Sequence, residues 1–438
     1  MFRFIRHFFA DIKTDLFHSS LLLSGSLVAQ VIAFIAYPIL TRLYSPAEFG
    51  KFSVFLSITG ILSILATGRL EYALMIPKEE TKAHDLKKIG LWWCSIFSVA
   101  CLLITFLLAL FKGLSSHVPG LFFISIYVFL TGTTQIFTLY RNRLKQYQKL
   151  AQVSVIQNAI TSAGKILLGF AGSLNVGLIF GSIMGQVASF ISISKGLMEK
   201  TIFTKPARLK ETLREYSAFP KYRMVQALIN TFSSNMPIFL IAFYFSAREA
   251  GYFGLILGLG YKVITLISSA LYQVLYRRFT EEKNLQNPVL PLFLKMSILL
   301  ALISIVPGIP LFFISQKLID VFCGHGWSEA GAYLKIMLPW LIMVFIVSPF
   351  AFIADVYSLQ KKVLIVDALH LLLRILGFYI GVWAGNLYLS LTLFSLISVA
   401  YVTFYYIWYY FILKRNSTYS LNQEPLIPPV NSNSFSNN

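Results

Sequence analysis

Tyr44-Ser-Pro-Ala-Glu-Phe-Gly-Lys-Phe52 and Phe245-Ser-Ala-Arg-Glu-Ala-Gly-Tyr-Phe253 are two copies of one short pattern, 201 residues apart in a chain of 438. They share Ser45/Ser246, Glu48/Glu249, Gly50/Gly251 and Phe52/Phe253, and each opens on an aromatic residue. Each copy follows a long apolar run and precedes another. A repeat with an even number of membrane spans per copy yields two halves that point the same way, as in parallel-repeat transporters. The expected fold is all-α and polytopic, with about 12 transmembrane helices in two six-helix lobes.

Outward from the repeat, a span needs roughly 20 apolar residues. Twelve runs qualify: 20–41, 52–76, 89–111, 119–140, 151–173, 176–194, 224–245, 253–276, 289–315, 336–358, 363–383 and 386–413. Lipid offers backbone groups no hydrogen bonds, so such runs are helices or barrel strands, and their length without alternation excludes the barrel. Composition agrees. Apolar residues make up 57% of the chain and charged ones only 13%, with a mean hydropathy of +0.70. The net charge of +19 would suit a nucleic-acid protein, but not at this hydropathy.

The cations set the orientation instead. With the N-terminus cytoplasmic, 26 Lys and Arg residues fall in inner segments and 6 in outer ones, so both termini are expected inside. The expected organisation is an N-terminal lobe over 1–194, a basic cytoplasmic linker over 195–223, a C-terminal lobe over 224–415 and a disordered cytoplasmic tail over 416–438. Phe2, Ile5, Phe9, Ile12 and Leu16 share a helical face, which suits an interfacial helix at the start of the chain.

Five cations remain inside the spans, Arg69, Lys165, Lys262, Lys295 and Arg374, against three acids, Glu71, Asp355 and Asp367. Charge in a bilayer is costly and marks a functional site by default. Lys165, Lys262 and Arg374 each fall within roughly 5 Å of a span midpoint at 1.5 Å per residue, whereas Lys295 sits where it can snorkel to the headgroups. Arg69 has Glu71 beside it, so a local ion pair competes with a cavity role. Asp367, His370 and Arg374 lie at i, i+3 and i+7 on one helical stripe. They form either a proton-responsive pair beside a substrate cation or a buried structural bridge. The stripes Gly177/Gly181/Gly185 and Gly377/Gly381/Gly385 suit close helix packing.

Leu40-Thr-Arg-Leu-Tyr-Ser-Pro-Ala-Glu-Phe-Gly50, followed by Gly68-Arg-Leu-Glu-Tyr-Ala-Leu74, resembles the opening of bacterial O-antigen and polysaccharide flippases of the multidrug/oligosaccharidyl-lipid/polysaccharide exporter superfamily. The resemblance implies a MATE-like fold in the bacterial inner membrane. It also implies movement of undecaprenyl-diphosphate-linked oligosaccharide from inner to outer leaflet by alternating access. Cationic cavity residues come with it, and Arg42 and Arg69 fall in the matching region. Lys165, Lys262 and Arg374 join them as candidate substrate-binding residues by depth, with Asp367 and His370 as candidates for ion coupling. The partners it implies are the lipid-linked oligosaccharide, membrane lipids, a polysaccharide polymerase and a chain-length regulator.

Two other classes compete. A membrane glycosyltransferase or O-antigen polymerase would carry a larger outer loop bearing catalytic acids or arginines. A drug exporter of the same superfamily would favour an acidic cavity. No phosphate-cradling Gly-Lys-Ser/Thr loop, nucleophile elbow or H-E-x-x-H sequence occurs, so no enzyme is expected. Cys94, Cys101 and Cys323 lack metal-ligand spacing, so no metal or other cofactor is expected, and no nucleic-acid partner.

Overall fold

The computed structural model describes residues 16–110, 118–173, 176–198, 209–284, 287–357 and 359–421. Twelve long helices follow one another: α1 Leu16–Leu43, α2 Pro46–Thr67, α3 Glu80–Leu110, α4 Val118–Arg143, α5 Tyr147–Phe170, α6 Gly177–Ser194, α7 Met224–Tyr244, α8 Ala247–Asn284, α9 Leu290–Cys323, α10 Ser328–Val347, α11 Gln360–Trp383 and α12 Leu387–Leu421. Eleven are long and apolar enough to cross a membrane, and the remaining one, α8, contains the expected eighth span. Large apolar side chains face outward all round, up to 81% exposed at Phe243 and 87% at Trp383. Only hydrocarbon makes such a surface favourable. The chain is an all-α, multi-pass membrane protein.

Several boundaries depart from the sequence reading. The expected span 52–76 stops at Thr67, because Gly68 and Arg69 both take the left-handed conformation (φ 58°) before a short helix, Leu70–Ala73. The expected span 336–358 is displaced toward the N-terminus. Ser328 and Glu329 already belong to α10, and the helix yields to a tight turn at Ser348–Phe350, where Pro349 removes a backbone donor. Helix α12 continues to Leu421, into the segment expected as disordered tail. The expected interfacial face over residues 2–12 and residues 422–438 lie outside the described residues.

Helices α1–α6 pack among themselves, with α5 against both α1 and α6, and so do α7–α12, with α9 and α12 against α10 and α11 against α12. The two groups meet chiefly through α2 against α8 and α7. The duplicated pattern explains that meeting. Ser45 caps α2 in a reciprocal capping box with Glu48, so the Glu48 carboxylate accepts from the Ser45 amide at 2.7 Å. Ser246 repeats half of this at α8, accepting from the Glu249 amide at 3.1 Å, while the Glu249 carboxylate accepts from Tyr333 instead.

The glycines mark the crossing of α2 and α8. A Cβ on Gly50 would overlap the Ala247 carbonyl, and a Cβ on Gly251 would overlap that of Pro46. Residues at matching positions of the two copies therefore cross on each other. The same approach recurs one turn on, where Gly254 packs on Ser53. The Gly177/Gly181/Gly185 stripe packs α6 on Tyr44, Lys165 and Thr161. Gly377 and Gly381 pack on α12, but Gly385 lies beyond α11 in a left-handed turn (φ 64°) rather than on the packing ridge.

Candidate transport cavity and its seal

Around the Gly50/Gly251 crossing the two helix groups are sealed. Trp327, in the turn between α9 and α10, donates from Nε1 to the Thr41 carbonyl at 2.8 Å, and its ring meets Phe49 edge-on at 4.9 Å. The predicted site residue Arg42 belongs to this seal. Its guanidinium donates to the carbonyls of Phe322 (3.0 Å) and Val321 (3.1 Å), closing the exposed C-terminus of α9. Such an end carries unpaired carbonyls and partial negative charge, which suits a cation. Further along, Ser57 on α2 donates to Asn235 on α7 at 2.9 Å.

Beyond that bond the helices part. A cavity of about 610 Å³ opens between them, lined by Arg69 and Tyr72 on one side and by Arg223, Gln226, Asn230 and Tyr272 on the other. Two arginines from opposite halves thus share one vestibule with amides and aromatic rings. Arg69 reaches it because of the helix break: its guanidinium lies 3.5 Å from the buried Glu71 carboxylate and 5.3 Å from the Tyr72 ring centroid. A second cavity of about 380 Å³ shares Arg223, Gln226, Asn230 and Asp355 with the first and runs between α7, α10, α11 and α12. It adds Asp367, Tyr401, Tyr405 and Tyr409.

The remaining predicted residues are not gathered in one place. The Lys165 ammonium sits over Phe52 at 4.3 Å and that of Lys262 over Tyr37 at 4.5 Å, close enough for their like charges to interact. Neither lines the two cavities above. Lys165 also lies away from the middle of its helix. Helix α5 starts four residues earlier than its predicted span and ends at Phe170, leaving Lys165 roughly 7.5 Å from the C-terminal end.

Arg374 is 4% exposed inside the C-terminal group. It donates to Ser398 Oγ at 2.9 Å and to the Ser233 carbonyl at 3.3 Å, and lies over the rings of Phe394 and Trp340. It ties α11 to α7, α10 and α12. Asp367, on the same stripe, accepts at Oδ1 from the hydroxyls of Tyr401 (2.5 Å) and Tyr405 (2.9 Å). His370 stacks on Tyr401 with ring centroids 3.6 Å apart, so Asp367 and His370 meet through that tyrosine.

Arg223 is the cavity residue that sequence reasoning missed, because it counted among the linker cations. Its signal was present: Arg223, Gln226 and Asn230 fall at i, i+3 and i+7, a polar stripe on the mouth of an otherwise apolar helix.

Two bundles of spans are joined at one end, with a charged cavity between them at the other. The family model described as polysaccharide biosynthesis protein matches residues 39–332, and the chain belongs to that family. It is similar to the teichuronic acid biosynthesis protein TuaB of Bacillus subtilis (strain 168), 22% identical over an alignment of 344 positions that covers 75% of this chain and 68% of that one. Its fold is that of a multidrug resistance MATE family transporter of the MOP superfamily in an inward-facing conformation. That match has a TM-score of 0.64 and 15% identity, and covers 91% of this chain and 98% of that one. The lipid II flippase MurJ in an inward closed conformation matches with a TM-score of 0.63 and 15% identity, covering 92% and 90%. The chain is a multi-pass membrane protein of the polysaccharide biosynthesis protein family.

Proposed function

We propose that this chain moves undecaprenyl-diphosphate-linked oligosaccharide, an O-antigen or related repeat unit, from the inner to the outer leaflet of the bacterial inner membrane. The observation that carries the reading is the vestibule shared by Arg69 and Arg223. Two guanidiniums from opposite lobes suit the two phosphates of one diphosphate, since Arg pairs with phosphate through parallel hydrogen bonds. The tyrosines and amides beside them suit a hydroxyl-rich glycan, and the polyprenyl tail stays in lipid.

With both termini cytoplasmic, as the cation distribution favours, the vestibule opens to the cytoplasm and the Gly50/Gly251 seal faces outward. Cargo loads between the lobes and leaves when the seal parts. Lys165 and Lys262, held on aromatic rings nearer the seal, become the next cationic station as it opens, with Arg42 at the outer mouth. Arg374 acts through the architecture of the C-terminal lobe rather than by touching cargo. Asp367 and His370 are the pair through which an ion gradient would drive the cycle. A polymerase and a chain-length regulator would receive the product.

The test is reconstitution in liposomes with a fluorescent lipid-linked oligosaccharide and an impermeant quencher. Movement with the glycan unchanged is expected, and it separates a flippase from a polymerase. Replacing both Arg69 and Arg223 with Ala should abolish movement; unimpaired transport by that folded double variant would overturn the reading.

A further inference from the structure

We infer that the cavity inside the C-terminal lobe is a glycan subsite that selects neutral or amino-bearing sugars against acidic ones. The inference rests on the flippase reading and names the chemistry of its cargo.

Three observations point this way. The cavity of about 380 Å³ lies within the range of small-ligand sites and opens off the vestibule at Arg223, Gln226 and Asn230. A diphosphate held by Arg69 and Arg223 therefore places its first sugar at the mouth of that cavity. The charge then changes sign along the path. The vestibule is lined by two arginines and Asp355, whereas the inner cavity is lined by one arginine and by Asp355 and Asp367. Finally, Asp367 is 5% exposed, and both hydrogen bonds it accepts go to Oδ1, from Tyr401 and Tyr405. That clamp fixes the carboxylate in the wall of the cavity. An ionised carboxylate has about four acceptor sites, so a ligand that donates to it there gains affinity.

Sugar hydroxyls and ammonium groups donate. A uronate offers a second carboxylate, which donates nothing and is repelled by Asp367 and Asp355. Tyr405 and Tyr409 also line the cavity, and amphipathic aromatic side chains suit the mixed apolar and hydroxyl surface of a pyranose.

The experiment measures binding of three undecaprenyl diphosphates to the full chain in nanodiscs: the bare lipid, one carrying a neutral N-acetylhexosamine disaccharide, and one carrying a hexuronic acid disaccharide. The neutral glycan should bind about tenfold tighter than the bare lipid, and the acidic one no tighter than it. Asp367→Asn and Tyr405→Phe should each cut the gain from the neutral glycan to less than about threefold. Two variants are used because either alone could misfold, and bare-lipid binding reports folding. Equal affinity for the neutral and acidic glycans, or a gain untouched in both variants, would overturn the subsite. Failure of the wild-type chain to bind any of the three lipids would overturn the flippase reading with it.

Discussion

Replacing Gly50 with Ala adds one methyl group where α2 and α8 touch. Its carbon would sit 2.7 Å from the Ala247 carbonyl carbon and 3.0 Å from the Gly251 nitrogen, both backbone atoms that cannot swing aside. Restoring ordinary 3.5–4.0 Å contact, above all with the overlapped Ala247 oxygen, parts the helices by about 2 Å. That also loosens Gly251 on Pro46 and Gly254 on Ser53. Overpacking of this kind costs about 1–3 kcal/mol, charged to the sealed state only. The better helix propensity of Ala acts equally in sealed and parted states and cancels from their ratio. The sealed-to-parted ratio should therefore fall about 5- to 150-fold.

The assay is a pair of spin labels on cysteines at the exposed positions Lys51 on α2 and Lys317 on α9, with Cys101 replaced by Ser and distances read by pulsed electron resonance. Gly60→Ala is the control. It lies on the same helix, and its added carbon meets nothing within 4 Å. Gly50→Ala should gain a population at longer distance, and Gly60→Ala should not. Superimposable distributions for the two variants would refute the packing argument.

Trp327→Phe keeps the ring against Phe49 but removes the donor to Thr41. It should shift the same equilibrium by about 1–3 kcal/mol, and combined with Gly50→Ala the two effects should not add; strict additivity would show that they serve separate contacts. Arg374→Ala should lower the melting temperature and the yield of folded protein, and Arg374→Lys should not restore them, because a single ammonium cannot span Ser398 and Ser233 as the planar fork does. Normal melting with loss of transport alone would return Arg374 to the cargo path. Arg223→Ala should slow liposomal transport about as much as Arg69→Ala, roughly tenfold each. A wild-type rate would remove Arg223 from the site.

The spans and the repeat were legible because both depend on one-dimensional signals, apolar length and self-similarity. The errors lie where local backbone chemistry overrides hydropathy. Residues 68–76 are apolar enough to extend a span, yet the left-handed pair Gly68 and Arg69 ends α2 and turns a guanidinium into the vestibule. Depth along a span gave poor access to the cavity lining for a related reason. Depth says how far a residue lies from the headgroups but not which face of its helix it occupies. Arg374 is near the middle of α11 and faces a lobe interior; Arg223 is at a helix end and faces the cavity. Asp367 and His370 share a stripe, but the residue that joins them, Tyr401, comes from another helix and leaves no trace in their spacing.

Within the duplicated pattern the two copies both keep a glycine where they touch each other, Gly50 and Gly251. Helix α1 ends at Leu43 and α7 at Tyr244, and α2 starts at Pro46 and α8 at Ala247, so the offset of 201 holds on both sides of the pattern. At that offset Arg69 corresponds to Ala270 and Arg223 to Leu22, and the break at Gly68–Arg69 corresponds to the uninterrupted middle of α8. Self-contact across a pseudo-two-fold axis constrains both partners together, because a Cβ in either copy would overlap the backbone of the other. The cavity-facing ends carry no such reciprocal constraint, so each half was free to acquire its own cation. On the proposed flippase reading, rocking lobes use this division: a symmetric contact to roll on at one end and an asymmetric, charged cleft at the other. The paired glycines at the seal keep the duplication, and the cavity arginines Arg69 and Arg223 lie where it has been lost.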